Sequence, residues 1–190
     1  MTYKKTDNGN FSGKLSLRRY FLEKYPCTSI LDCCQGDKKL WRELLPEHPK
    51  STYLGVDLKS KKGRLTINSQ RILHQAGWNF DVIDIDTYGS PWSHWSSLLQ
   101  FGHQDMTIFL TIGLVKIMGG NISKETSIWL GFSSFDPPIP NSLASKCNDM
   151  SLPYCLNQAE KNGYVIAEAK QAKRTKNAQY VGVRLIKKTT

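Results

Sequence analysis

The sequence predicts an α/β protein: one mostly parallel, seven-stranded sheet with helices on both faces, closed by an antiparallel C-terminal hairpin. Three observations predict it. Short apolar, β-branched runs alternate with amphipathic runs along the first 112 residues, as strand–helix–strand units do. The returns between them are short, which favours right-handed parallel crossovers. Two alternating runs at the end of the chain, 164–170 and 179–188, face each other across a basic turn, the pattern of a hairpin.

Taken in order, residues 1–13 (MTYKKTDNGNFSG) are polar and are expected to form a flexible arm, leaving 14–190 as a single domain. KLSLRRYFLEKY (14–25) carries apolar residues at 15, 17, 20, 21, 22 and 25, enough for one helix face, and Pro26 ends it. TSILDCC (28–34) predicts a short buried strand, Gln35-Gly36-Asp37 a turn, and KKLWRELL (38–45) an amphipathic helix stopped by Pro46. STYLGVDL (51–58) and RLTIN (64–68) predict the second and third strands. SQRILHQAG (69–77) has the Ser start and Gly stop of a helix. NFDVIDID (79–86) is the fourth strand, Pro91 opens a helix to about 101, and MTIFLTI (106–112) is the fifth strand. Between 113 and 150 the pattern weakens: TSIWLGF (126–132) reads as a further strand and DPPIPNS (136–142) as loop. SLPYCLNQAEKNG (151–163) predicts a helix before the closing hairpin.

Composition narrows the function classes. No run of about 18 apolar residues exists, so no membrane span is expected. The N-terminus lacks the apolar stretch of a secretory signal, so a cytoplasmic location is expected. Five cysteines (Cys27, Cys33, Cys34, Cys147, Cys155) have neither zinc spacing nor a CxxC pair and read as free thiols; no metal is expected. Twenty-six Lys and Arg against 16 Asp and Glu leave +10. Such an excess gathers polyanions, and nucleic acid, RNA or DNA, is the expected partner. Basic residues cluster at 14–19, 59–64, 170–176 and 187–188. Lys61, Lys62 and Arg174 are candidate phosphate contacts, with a solvated surface as the alternative.

In open α/β sheets ligands settle at the carboxyl ends of strands, where the strand order reverses. Asp32 lies near the end of the first strand, Gly36 in the turn after it and Asp57 at the end of the second. The interval of 21 residues from Gly36 to Asp57 suits an acid that binds ribose hydroxyls. A dinucleotide needs glycines for backbone approach to a pyrophosphate at a helix N-terminus. Here the turn is DCCQGDKK, and Asp37 would repel a pyrophosphate. A phosphate-free cofactor carrying an ammonium, S-adenosylmethionine, suits these acids better.

SILDCCQGDKKLW followed by YLGVDL resembles the first two motifs of class I S-adenosylmethionine-dependent methyltransferases, a Rossmann-like fold. The resemblance implies that Asp32 and the turn containing Cys34, Gln35 and Gly36 hold the methionine part of the cofactor. It likewise assigns the ribose to Asp57, with Asn68 completing the cofactor site. Cys34 and Lys38 stand where glycine is usual in that family.

DVIDIDTYGSP (81–91) resembles the strand-four motif of the tRNA guanine N2-dimethyltransferase family, Asp-Pro-Phe/Tyr-Gly-Ser-Pro, with Thr87 in place of proline. The chemistry fits those residue types. An exocyclic base nitrogen is a weak nucleophile, and a carboxylate with a backbone carbonyl can accept its protons and aim its lone pair. An aromatic ring can stack on the base. The resemblance makes Asp86, Thr87, Tyr88 and Gly89 the catalytic loop, Asp86 binding the amino group and Tyr88 stacking. Asp84, Pro91 and Trp92 would support or contact the substrate. Asp84 and Asp86 share a strand face, and the alternative reading has one acid capping the next helix and the other pairing with a lysine.

The implied activity is methylation of an exocyclic amino group in RNA, tRNA guanine N2 included, or in DNA. The alternatives are an inactive module with this fold, and a methyltransferase for a protein or small molecule. The tRNA family carries a further C-terminal recognition domain for which 190 residues leave no room, so a protein partner supplying recognition is a further expectation. FDPPIP (135–140) imitates an Asp-Pro-Pro motif but lacks the following aromatic. Of the histidines, only His94, just past the motif, is a candidate acid–base group.

Overall fold

The computed structural model describes residues 10–87, 90–115, 122, 124–131, 140–173 and 175–189. Its elements are α1 (Phe11–Lys24), β1 (Ser29–Asp32), α2 (Lys39–Leu44) with a 3-10 turn at Leu45–Glu47, β2 (Thr52–Asp57), β3 (Leu65–Thr66) and α3 (Ser69–Leu73). They continue with β4 (Val82–Ile85), α4 (Trp92–Phe101), β5 (Met106–Gly113), α5 (Lys124–Trp129), α6 (Asn141–Lys161), β6 (Tyr164–Gln171) and β7 (Ala178–Lys187). The seven strands form one sheet in the order β3-β2-β1-β4-β5-β7-β6. Pairings are parallel from β3 through β5, while β7 is antiparallel to both β5 and β6. The sheet and its hairpin are those the sequence predicted.

Period-two alternation sorts each strand between two cores. Ile30, Val82, Phe109 and Tyr180 meet Leu17, Phe21 and Leu22 of α1 and Trp41 and Leu44 of α2. Leu31, Ile83, Ile85, Ile108, Leu110 and Val183 meet Leu73 of α3, Trp95, Leu98 and Leu99 of α4, and Cys155 and Ala159 of α6. Helices therefore cover both faces. Phe21 lies so close over β7 that a Cβ on Gly182 would sit 2.5 Å from its ring, and this close approach is what requires glycine there.

Three sequence expectations change. TSIWLGF is not a strand: Lys124–Trp129 is helical. Its β-branched and aromatic residues favour a strand, but tertiary contacts override that preference, because Trp129 stacks on Trp92 at 3.7 Å between ring centres and 4° between planes. The helix expected over 151–163 starts ten residues earlier, and Pro153 lies inside α6. The first helix begins at Phe11, with the Asn10 side chain accepting from the Gly13 N–H at 3.2 Å, so the last residues of the expected arm are helical. Residues 1–9 of that arm, and the FDPPI of the imitation motif, lie outside the described residues.

Candidate active site

The strand order reverses between β1 and β4: β2 and β3 extend one way from β1, and β5 the other way from β4. The crevice beyond their carboxyl ends is the expected ligand position. Asp32 of β1 is paired in register with Asp84 of β4. Alternation places Asp32, Asp84 and Asp86 on one face, beneath α1. Three carboxylates converging there demand counter-charge, since an unpaired buried acid costs several kcal/mol, about 3–5 when one partner of a pair is removed.

That counter-charge comes from α1. Lys14 and Arg18 lie one helical turn apart, about 6 Å, which matches the roughly 6.6 Å between alternate strand residues. Arg18 grips Asp84 with both prongs of its fork, Nε to Oδ2 at 2.9 Å and Nη2 to Oδ1 at 2.7 Å. The Trp41 indole N–H donates to the same Oδ2 at 2.9 Å. Both charged side chains are 3% exposed. Asp84 is therefore not the substrate contact that the sequence had suggested: held by Arg18 and Trp41, its side chain is sealed from the crevice.

Asp86 is different. Lys14 Nζ donates to both of its oxygens, at 2.8 and 2.7 Å, and the Thr111 hydroxyl donates to Oδ1 at 2.6 Å. Its side chain nonetheless remains 26% exposed. A carboxylate offers about four acceptor positions, so one is left on Oδ2 for an incoming N–H. Burial acts to raise its pKa, but the Lys14 and Arg18 charges and these hydrogen bonds outweigh it and hold Asp86 below the usual carboxylate range. Asp86 is thus a fixed anion suited to accepting hydrogen bonds and poorly suited to storing a proton.

Asp32 has the opposite character. It accepts from the Tyr53 hydroxyl at 2.7 Å and from the Cys34 N–H at 3.2 Å. Burial first, and then the Asp84 charge, push it up to about 8. The folded state therefore holds a proton that the unfolded chain releases at ordinary carboxyl pH, and stability falls as pH rises toward 8. The stability of Asp32→Asn relative to wild type in urea should rise by a few kcal/mol between pH 4 and pH 8, at about 1.4 kcal/mol per unit. Equal wild-type and variant stabilities at both pH values would contradict this.

The remaining cofactor candidates surround the turn after β1. Gly36 (φ +51) and Lys38 (φ +56) are both left-handed, Lys38 being the only such non-glycine among the described residues. The backbone thus follows a glycine path even where glycine is absent, with the Lys38 ammonium 4.0 Å from the Tyr53 ring centre. Asp57 accepts from the Gly36 N–H at 3.0 Å, the Lys59 N–H at 2.9 Å and Arg64 Nη1 at 3.2 Å, leaving about one acceptor position. Arg64 also donates to the Gly36 carbonyl. Asn68 caps α3 through Oδ1, accepting from the Gln70 N–H at 3.0 Å. Gln35 Oε1 and Thr87 Oγ1 are buried without a hydrogen-bond partner among the described residues, an arrangement that a polar ligand at these strand ends would complete. Burial pushes the Cys34 thiol up to about 12, which leaves it no nucleophilic role at neutral pH.

The predicted substrate contacts fare unevenly. Trp92 is 2% exposed and stacked on Trp129, so its ring is a core element and not a base platform. Pro91 is buried, and its carbonyl accepts from the Trp95 N–H at 2.9 Å to start α4. Lys61 is exposed and bonded to Asp37 at 2.5 Å; Lys62 is exposed. Tyr88, Gly89 and Arg174 lie outside the described residues. His94 bonds Ser69 Oγ through Nε2 at 2.8 Å, and burial lowers its pKa. The basic cluster at 14–19 is not a phosphate surface: Lys14 and Arg18 are buried on acids, and Arg19 pairs with Glu47. The loop after β2 and the hairpin turn, with Lys59, Lys62, Lys173 and Lys176 exposed, do lie at the carboxyl edge.

Sequence reasoning missed Lys14, Arg18, Trp41, Tyr53, Thr111 and Arg64. The available signal was the i, i+4 spacing of two cations against two acids at i, i+2. Among the described residues, no group of three or more His, Cys, Asp or Glu is placed to hold a metal, and no helix is long and apolar enough to cross a membrane.

No protein-family model matches the sequence, and no curated protein does. Solved structures do resemble it. Trm1 from Pyrococcus horikoshii in complex with S-adenosyl-L-methionine superposes at a TM-score of 0.63 with 11% identity, over 93% of this chain and 54% of that one. The chain thus spans about half the length of that protein. M. jannaschii TYW2 in complex with AdoMet gives 0.57 and 10% identity, over 98% and 80%. The 1,6-didemethyltoxoflavin-N1-methyltransferase of Burkholderia thailandensis, with 1,6-didemethyltoxoflavin and S-adenosylhomocysteine bound, gives 0.53 and 12%, over 94% and 77%. The chain therefore has the Rossmann-like class I methyltransferase fold.

Proposed function

We propose that this protein is an S-adenosylmethionine-dependent N-methyltransferase acting on the exocyclic amino group of a nucleic-acid base, in RNA or DNA. The observation that carries the reading is Asp86: an anion at the reversal of strand order, fixed by Lys14 and Thr111, with one acceptor position and a quarter of its side chain open. S-adenosylmethionine, held at the carboxyl ends of β1 and β2 by Asp57, Asn68 and the turn of Cys34, Gln35 and Gly36, would supply an electrophilic methyl group. Asp86 accepts one amino N–H and turns the nitrogen lone pair away from itself. Transfer would form the C–N bond as the C–S bond breaks, leaving the bonding pair on sulfur and placing positive charge on the nitrogen beside Asp86. Stabilising that charge is the residue's main contribution. The released proton leaves to water, because Asp86 is held ionised.

The +10 charge and the exposed lysines at the carboxyl edge support a polyanionic substrate. A cytoplasmic location and a protein partner for substrate recognition belong to the same reading. One observation favours a second reading, an inactive binding module with this fold: Lys14 already occupies both Asp86 oxygens. Calorimetry with S-adenosylmethionine decides between them, followed by transfer of labelled methyl to mixed tRNA and sheared DNA and analysis of the digested nucleosides. Heat of binding and a labelled N-methyl nucleoside are expected. Binding of nucleic acid without any cofactor heat at millimolar concentration would establish the module instead.

A further inference from the structure

Where β6 ends and β7 begins, level with the end of β5, a cavity of about 460 Å³ opens between α6 and the hairpin. That volume falls in the range of small-molecule sites. Three amide residues run in series to its wall. Asn148 of α6 accepts from the Val115 N–H at 2.8 Å and donates to the Val115 carbonyl at 2.9 Å, which ties α6 to the chain just past β5. The Asn148 backbone carbonyl can only accept, so Gln179 presents its NH2 there, at 2.7 Å, and turns Oε1 the other way. That Oε1 accepts from Gln171 Nε2 at 3.2 Å. Gln171 is thereby held with its NH2 toward Gln179 and its Oε1 unspent at the cavity wall. Asn148 and Gln179 are buried, and Gln171 is exposed. Bolting α6 to the sheet needs only Asn148 and Gln179; Gln171 is what the series orients.

The cavity adjoins the Asp86 crevice. Lys14, bonded to Asp86, lies one helical turn from Asn10, whose Nδ2 donates at 2.8 Å to the carbonyl of Lys173, a residue of the cavity wall. Thr111, the other donor to Asp86, pairs with Tyr180, the chain neighbour of Gln179. β7 and β6 stand two and three strand spacings from β4, about 10–15 Å, a span of about three or four stacked nucleotides.

Resting on the reading of a nucleic-acid methyltransferase above, we infer that this cavity is a second subsite, which reads a base near the target nucleotide on the same single strand. Gln171 offers Oε1 and the second N–H of its NH2, an acceptor beside a donor, the pattern that matches the amino group and ring nitrogen of adenine. Leu152 and Pro153 supply an apolar wall for the ring or sugar. Lys173 takes a phosphate on the hairpin side, and the charge of Asp149 on the α6 wall keeps the phosphate to that side. Gln171 is thus a specificity-determining residue and leaves the chemistry to Asp86.

The test measures binding of fluorescein-labelled single-stranded RNA decamers of A, C and U to the full chain by anisotropy across a series of salt concentrations. S-adenosylmethionine calorimetry is run on the same preparations. Wild type is expected to bind the A decamer at least about fivefold more tightly than the other two. Gln171→Leu should weaken the A decamer about tenfold, erase the preference and leave the salt slope unchanged. Lys173→Gln should weaken all three alike and flatten the log–log salt slope by about 0.7, the loss of one phosphate contact. Both side chains are exposed, so neither change removes a core contact, and the wild-type comparison needs no variant at all. Equal wild-type affinities, an A preference retained in Gln171→Leu, or an unchanged slope in Lys173→Gln overturns the subsite, and cofactor heat then leaves the methyltransferase reading standing. A Gln171-dependent A preference without cofactor heat overturns that reading and keeps the subsite.

Discussion

Asp86→Asn is expected to lower methyl transfer on the order of a hundred- to a thousandfold with S-adenosylmethionine affinity within about threefold of wild type, the loss that follows when a preorganised group facing developing charge is removed. The amide keeps the shape of the carboxylate and reverses half of its polarity. One former oxygen becomes an NH2 that faces donors, since Lys14 and Thr111 both donate here. Of the three hydrogen bonds seen, at most those to the surviving oxygen persist, and the position open to substrate is lost or becomes a donor. No anion remains to stabilise charge on the methylated nitrogen. Cofactor affinity is spared because its candidate ligands belong to β1, β2 and the start of α3. Single-turnover transfer and calorimetry on the same preparation measure the two quantities. A variant that transfers within about threefold of wild type would remove Asp86 from the chemistry, since a lost electrostatic partner cannot be that cheap.

Much of the fold was legible because it rests on local pattern. NFDVIDID alternates its apolar residues between two cores, and both halves of that alternation are seen, Val82 under α1 and α2, and Ile83 and Ile85 under α4. The same periodicity showed that Asp84 and Asp86 share a face. Which of them stays open could not be read locally, because their partners Arg18 and Lys14 are 66 and 72 residues away. In the sequence those two cations form a basic cluster that reads as surface, the ordinary fate of Lys and Arg, which are seldom fully buried without a partner. The alternative that one acid pairs with a lysine was the correct one for Asp86, and it did not exclude a partly open carboxylate. Trp92 and TSIWLGF misled for a shared reason: each ring's partner is the other's, so neither a base platform nor a strand could be excluded until Trp92 and Trp129 were seen stacked. At Lys38 the side chain departs from a glycine pattern while the backbone keeps it, a distinction that residue identity alone does not carry.

Arg18→Met should destabilise the fold by about 3–5 kcal/mol, because it strands a buried carboxylate. Methionine fills much of the stem volume and keeps the contact with the Phe109 ring, which lies 5.0 Å from the guanidinium carbon. What is lost is the charge and two hydrogen bonds to Asp84. Trp41 alone then supports the anion, and its single N–H cannot replace a cation. Arg18→Met combined with Asp84→Leu should recover most of the loss at every pH, as replacement of a whole buried pair by apolar residues commonly does. Urea unfolding of wild type, Arg18→Met, Asp84→Leu and the double variant at pH 5 and pH 8 closes the cycle. A single variant within about 0.5 kcal/mol of wild type would mean that Asp84 is hydrated and free to meet ligands, the surface-like behaviour of an exposed pair. The double variant also separates the two acids functionally. If Asp84 serves only to seat α1 over the sheet, the repaired protein retains Lys14 on Asp86 and with it the transfer reaction, whereas a role for Asp84 in substrate contact predicts a stable and inactive protein.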